Sequence, residues 1–265
     1  MAITISLTNL AEASAAAATA SVQACNYCSS EAQFPGRPFL PWRSTTTTAD
    51  QWWQVNFGSS QTLGLVGLVN LNVNSCVRIQ GASSSGFGTI SYNESVVPAR
   101  NPWTGRFQHT HLTTGFGYKF LRISIPGQNP PGGEAYYQIG GVWAGARSTT
   151  PEHWKWDARF HVVEPVIDVG PRHGGWRQRS QMGERLWRIE ARLHAGVTPA
   201  NPASGDQLDD WLDLQRQIWD ADSFWCFVNL GDPSQGAVVR SLEGPAWDVG
   251  PGLADSPWVL EEVAR

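Results

Sequence analysis

Trp52-Trp53-Gln54-Val55-Asn56-Phe57-Gly58 is the stretch that decides the fold of the first half of this chain. Trp53, Val55 and Phe57 alternate with Trp52, Gln54 and Asn56, and a period of two puts each set on its own face of a strand. One face is wholly apolar and the other mixed, as in a strand that covers a core on one side. Working downstream, strand-like runs recur at 63–73 and 76–80, more weakly at 87–92 and 106–112, and strongly at 118–125 and 136–144. Gly-Ala-Ser-Ser-Ser-Gly at 81–86 is a turn, and the Pro/Gly-rich 126–134 is a loop. Upstream, Ile3 to Leu7 alternates as a half-buried strand. The Ala/Ser stretch 11–24 reads equally as a short helix or a loop, and 34–48, with Pro35, Gly36, Pro38 and Pro41, as a long irregular loop. Short strands between Gly, Pro and Asn turns describe a sandwich or barrel.

The second half repeats the β character with one interruption. Residues 145–153 read as a linker, which divides the chain into units 1–147 and 148–265. Strands are expected at 154–163, 184–193, 224–230, 238–242 and 258–263, with a loop at 168–175. Between them, Leu208, Trp211, Leu212, Ile218 and Trp219 fall at helical spacing, which predicts a helix over 205–220. Ser204 with Gln207 has the form of a capping box. Asp206, Asp209, Asp210 and Asp213 share its outer face, where they read as solvated charge. Charge also separates the halves. Residues 1–150 carry 8 Lys/Arg against 5 Asp/Glu, a net +3, and residues 151–265 carry 11 against 18, a net −7.

Composition narrows the classes of function. A formal charge of −4 over 265 residues does not fit a nucleic-acid binder. No apolar run reaches the ~20 residues of a membrane span, so no membrane insertion is expected. The start, Met1-Ala-Ile-Thr-Ile-Ser, lacks the basic region of a secretory leader, which implies folding in a cytoplasm. The 14 Trp residues fit β cores and interfaces, where a large ring is buried and its N–H reaches a wet edge.

Chemistry-bearing motifs are sparse. Cys25 and Cys28 form a Cys-x-x-Cys, but no second pair or His pair accompanies it, so ordinary thiols outweigh a metal site. Cys76 and Cys226 sit in apolar runs and read as small core residues. His109 and His111, at i and i+2, share one sheet face and are candidates for ligand or metal contact. The loops 34–48 and 98–108 hold Arg37, Trp42, Arg43, Trp103 and Arg106, beside Phe34, Phe39 and Arg100. Aromatic faces stack on sugars and guanidinium groups bond their hydroxyls, while the same residues also anchor interfaces. No nucleophile–base set, phosphate loop or metalloprotease motif is present, so no catalytic residue, enzyme activity or cofactor is expected.

Residues 3–146 resemble the discoidin, or coagulation-factor type C, domain. The likeness lies in Trp52 to Gly58, in Leu65 to Gly81 ending Arg78-Ile79-Gln80-Gly81, in Tyr118-Lys119-Phe120-Leu121-Arg122-Ile123, and in Ile139-Gly140-Gly141-Val142-Trp143-Ala144-Gly145. It implies a galactose-binding-like jelly-roll β-sandwich with ligands at the loops of one end. The end-to-end disulfide and the calcium carboxylates common in that family are not evident. Residues 154–265 more faintly resemble minor or distal tail proteins of long-tailed bacteriophages, through Arg177-Gln178-Arg179-Ser180, Trp187-Arg188-Ile189-Glu190 and Trp258-Val259-Leu260-Glu261-Glu262-Val263.

The fold expected is therefore mainly all-β: a jelly-roll sandwich followed by a second β-sandwich-type domain with one helix. The function implied by the second resemblance is a structural part of a phage tail tip or baseplate. It would be assembled in the host cytoplasm into the virion tail as a homo-oligomeric ring, a trimer or hexamer, in contact with other tail proteins. The other reading is a carbohydrate-binding module that recognises a cell-surface glycan.

Overall fold

The structure is a computed structural model that describes residues 4–13, 16–36, 40–101, 105–149, 159–163, 166–169, 178–181, 186–196, 216–218, 221, 223–227, 232–243, 248–250 and 253–262. The chain is mainly β, built from antiparallel sheets. Of the helix expected at 205–220, residues 216–218 are helical and the rest lies outside the described residues.

Two long strands, Gln51–Leu71 and Phe107–Ile125, form the spine of a seven-stranded sheet. Each merges two runs that the sequence presents as separate strands. The pairing shifts register between Asn56 and Gln61, between Leu63 and Leu65, and between Leu68 and Leu71. Such irregularities bend a sheet and raise its twist, and here they mark off two wings. In the first wing, 53–56 pairs with the strand Ala17–Ala20, and 120–124 pairs with Val77–Ala82, whose far side carries Tyr92–Val96. In the second wing, 65–69 pairs with Gly141–Gly145, and Ala99–Arg100 joins the start of Phe107–Ile125. The Ala/Ser stretch thus contributes a strand, neither helix nor plain loop. Alanine has little intrinsic β preference, so pairing with Gln51–Leu71 decides its state.

The core lies between the wings. Trp53, Val55, Ile79, Leu121 and Ile123 from the first meet Val66, Leu68, Val142 and Ala144 from the second. The alternation read at 52–57 holds: Trp53, Val55 and Phe57 are buried, while Trp52 and Asn56 are half-buried. Trp53 closes its face by donating its indole N–H to the Ser29 carbonyl at 2.8 Å.

A second sheet of eight strands takes its members from both halves of the sequence. Its order is Ser148–Thr149, Thr4–Ser6, Phe224–Phe227, Gly236–Glu243, Leu253–Glu262, Leu186–Gly196 and Arg159–Val163, with Asp248–Gly250 beside Leu253–Glu262. The first strand, read as part of unit 1–147, pairs Ile5 with Cys226 of the second half. It is buried along its whole length, so both its faces are covered. The linker 145–153 likewise supplies a strand, with Thr149 opposite Thr4.

The two sheets meet at the second wing. Leu65, Val69 and Trp143 pack with Trp225, Phe227 and Val238. The rings of Trp143 and Trp225 lie 6.3 Å apart at 44°. Gly67 is required there, because a Cβ at that position would stand 2.5 Å from Cη2 of Trp225. Polar bonds align the contact: Gln108 donates to the carbonyls of Ser234 and Gly236, and Thr110 N–H to the carbonyl of Pro233.

Candidate functional site

Where the second wing ends, three segments surround a cavity of about 450 Å³. The end of the strand Gln51–Leu71 brings Asn70 and Asn72, the turn before Phe107–Ile125 brings Arg100, Gly105 and Arg106, and the loop after it brings Gly132, Glu134, Tyr136 and Gln138. Asn70 lies in the left-handed region at φ 51°, as does Gly105 at φ 71°. Asparagine is, after glycine, among the residues that adopt this conformation most readily, so both positions suit a sharp change of chain direction.

Most amide groups here are spent on building the walls. Asn72 clasps the loop twice: its Nδ2 donates to the Tyr136 carbonyl at 2.8 Å, and its Oδ1 accepts from Gln138 N–H at 2.7 Å. Gln138 accepts from Arg43 Nε at 2.9 Å and donates to the Asn70 carbonyl at 3.3 Å. The Arg43 guanidinium lies 4.0 Å from the Tyr27 ring centre and 4.6 Å from that of Tyr136, a cation–π stack that fixes Tyr136 from behind.

Arg100 and the described residues beside it are equally well held. Asn101 N–H donates to the Arg106 carbonyl, and Gly105 N–H to the Asn101 carbonyl, both at 2.8 Å. Arg100 donates through Nε to the Gly105 carbonyl at 2.8 Å, which fixes its guanidinium plane over that glycine. The second sheet braces the turn, since Asn101 Nδ2 donates to the Ser234 carbonyl at 3.0 Å. Opposite stands Glu134. Its carboxyl rests on Gly132, and its Oε2 is covered without a hydrogen-bond partner among the described residues. A covered carboxylate oxygen in that state favours any incoming donor.

The residues singled out by sequence are dispersed by the fold. Arg106 lines the cavity and Arg43 supports its wall. Trp42 is a correction: it is 0% exposed and donates its indole N–H to the Val22 carbonyl at 2.9 Å, so no ring face is left for a ligand. His109 and His111 do share a face, with ring centres 6.3 Å apart. That face is the core side, opposite Leu68 and Val66, and not the cavity. His109 is buried with Nδ1 unpartnered among the described residues, and burial, then the neighbouring His111, push its pKa down to about 4, against a bond to the Val97 backbone. His111 meets the Tyr92 hydroxyl at 2.5 Å. Arg37 and Trp103 lie outside the described residues.

Cys25 and Cys28 are exposed and unbonded, Cys76 is half-buried and Cys226 fully buried. Among the described residues, no three His, Cys, Asp or Glu side chains are grouped to hold a metal. Sequence reasoning missed Asn70, Asn72, Glu134, Tyr136 and Gln138. The available signal was Asn-x-Asn at the end of an apolar run, followed much later by a Pro/Gly loop that ends in Glu-Ala-Tyr-Tyr.

No protein-family model matches this chain, and no curated protein matches it closely enough to count as a relative. Solved structures do match one half of it. A chitosan-binding module of a Paenibacillus sp. IK-5 chitosanase/glucanase is 26% identical at a TM-score of 0.39, covering 52% of this chain and 98% of the module. The lectin domain of lectinolysin, complexed with Lewis B antigen, is 13% identical at 0.41, covering 53% and 98%. The family 32 carbohydrate-binding module of C. perfringens NanJ, in complex with galactose, is 14% identical at 0.40, covering 55% and 99%. At TM-scores near 0.4 these likenesses decide neither ligand nor role.

Proposed function

We propose that this chain is a carbohydrate-binding protein whose glycan occupies the cavity between Asn70–Asn72, Arg100–Arg106 and 131–138. The observation that carries the reading is the make-up of that cavity. An aromatic residue pinned from behind, Tyr136, stands beside Arg100, Arg106 and Glu134 on a frame rigidified by Asn72 and Gln138. Sugars present apolar C–H faces and hydroxyls that both donate and accept. A fixed aromatic with guanidinium and carboxylate groups therefore complements them, and a pre-organised wall spares ordering entropy on binding.

The lining favours binding over hydrolysis. Glycoside cleavage usually takes two carboxyl groups flanking the bond, and Glu134 is the one carboxylate among the described lining residues. No comparison supports the tail-tip ring expected from the second half.

The test is a glycan array followed by titration calorimetry with wild type, Tyr136→Ala and Trp52→Ala. Trp52 stacks on Arg122 and does not line the cavity. Wild type and Trp52→Ala are expected to retain a shared set of glycans, and Tyr136→Ala to lose at least about tenfold in affinity, given ~1.5 kcal/mol for a buried aromatic contact. A wild-type protein that retains no glycan, or a Tyr136→Ala protein that binds as wild type does, overturns the reading.

A further inference from the structure

We infer that the glycan bound in this cavity is acidic, and that its carboxylate is received by Arg100. The inference rests on the carbohydrate reading above and goes beyond it in naming the charge of the ligand.

Arg100 is exposed, yet it is not a freely moving surface cation. Its side chain makes one hydrogen bond among the described residues, through Nε to Gly105. That bond leaves both terminal nitrogens of the fork unengaged by the described residues and holds the plane that carries them. A planar guanidinium fixed in this way is pre-organised for the two parallel bonds a carboxylate accepts. The residues beside it are held as well: Asn101 N–H bonds the Arg106 carbonyl, Gly105 N–H the Asn101 carbonyl, and Asn101 Nδ2 the Ser234 carbonyl of the second sheet. Gly105 meets a stated need, since φ 71° suits glycine and the guanidinium of Arg100 packs 3.5 Å from where a Cβ would stand.

Charge points the same way. Arg100 lines the cavity with its terminal nitrogens unengaged by the described residues, so it is the cation that an anionic occupant meets. Glu134 completes the pattern rather than opposing it. Its Oε2 has no hydrogen-bond partner among the described residues, and the ring hydroxyls of the same sugar are donors suited to a carboxylate. A uronic or sialic acid residue presents both ends, a carboxylate for the fork and hydroxyls for the acceptor. A neutral hexose satisfies only the second.

The test uses the full chain and paired probes. Galacturonate-, glucuronate- and sialate-terminated oligosaccharides are titrated beside their carboxyl-reduced counterparts at low and high salt. At least one acidic probe is expected to bind about tenfold or more tighter than its reduced partner, the value of one charge-assisted bond of ~1.5 kcal/mol. That ratio is expected to shrink as salt rises. Arg100→Gln removes most of the ratio, Arg100→Lys leaves part of it, and Glu134→Gln lowers the affinity for every probe through the lost hydroxyl acceptor. Melting midpoints within about 2 °C of wild type, for a chain of this size, separate these losses from misfolding. Equal binding of acidic and reduced probes, or a ratio that survives Arg100→Gln, overturns the acidic inference and leaves carbohydrate binding standing. Failure of every probe to bind overturns both.

Discussion

The two ends of the strand Gln51–Leu71 are built on different rules. At 51–57 one face is buried and the other is half-open at Trp52 and Asn56, with Gln54 buried between them. At 65–69 every residue is buried: Val66 and Leu68 face the first core, while Leu65 and Val69 face the second sheet. There the sequence runs Leu-Val-Gly-Leu-Val, with no alternation to read. A strand with one wet face writes its pairing into a period of two, whereas a strand covered on both faces reads as a plain apolar run. Inside that run, Gly67 is the mark of what covers it, since the Trp225 ring lies where its side chain would be.

The strongest way to break this comparison is to remove the cover. Trp225 is fully buried, and Trp225→Ala is expected to cost about 3–5 kcal/mol, the usual range for a large core aromatic. If the covered end of the strand depends on the second sheet, denaturant melts of both regions shift together. A first sandwich that melts as wild type while the second sheet is lost would show that the run at 65–69 stands without its cover.

Acid probes the opposite face of the same wing. His109 is held near a pKa of about 4 by burial, against 6.5 for a free side chain. Above pH 6.5 both folded and unfolded forms are neutral, so the whole of this contribution to stability is present. As pH falls from 6.5 toward 4 the unfolded chain takes up the proton first, and roughly 2–3 kcal/mol is lost. The stability slope across that window is expected to flatten in His109→Asn, and an unchanged slope would place His109 in a wetter setting.

A smaller effect sharpens the comparison at its polar seam. Gln108→Ala strands the Gly236 carbonyl, while the Ser234 carbonyl keeps Asn101, and about 1–3 kcal/mol of stability is expected to go. The smallest belongs to the half-open end. Trp52→Ala gives up a stack 4.4 Å from the Arg122 guanidinium at a half-buried site, worth about 0.5–1 kcal/mol. A loss at Trp52 as large as that at Trp225 would erase the difference between the two ends.

Legibility followed the same physics. Trp53, Val55 and Phe57 were placed correctly because period-two alternation is a local property of a half-covered strand. Trp42 was misplaced as a ligand residue because a Trp in a Pro-rich loop looks exposed, and only the carbonyl of Val22 and the surrounding core show otherwise. The histidine pair was placed on one face correctly, but its spacing carries no information about which face is wet. Arg106, named from the sequence, lines the cavity, whereas Glu134 was read as the end of a Pro/Gly loop and Tyr136 as the start of a strand. Their role depends on Asn72 and Arg43, which are distant in sequence and adjacent only after folding.

By itself, the sequence determined that this is an all-β chain with a strand-rich first half, for periodicity and turn residues act over a few positions and survive in any context. Only the tertiary structure decided that Thr4–Ser6 belongs with Phe224–Phe227, that Gln51–Leu71 is one bent strand covered twice at its far end, and that Asn70, Arg100, Glu134 and Tyr136 surround one cavity. Those are relations between segments tens to hundreds of residues apart. They are fixed by pairing and burial, which no local pattern encodes.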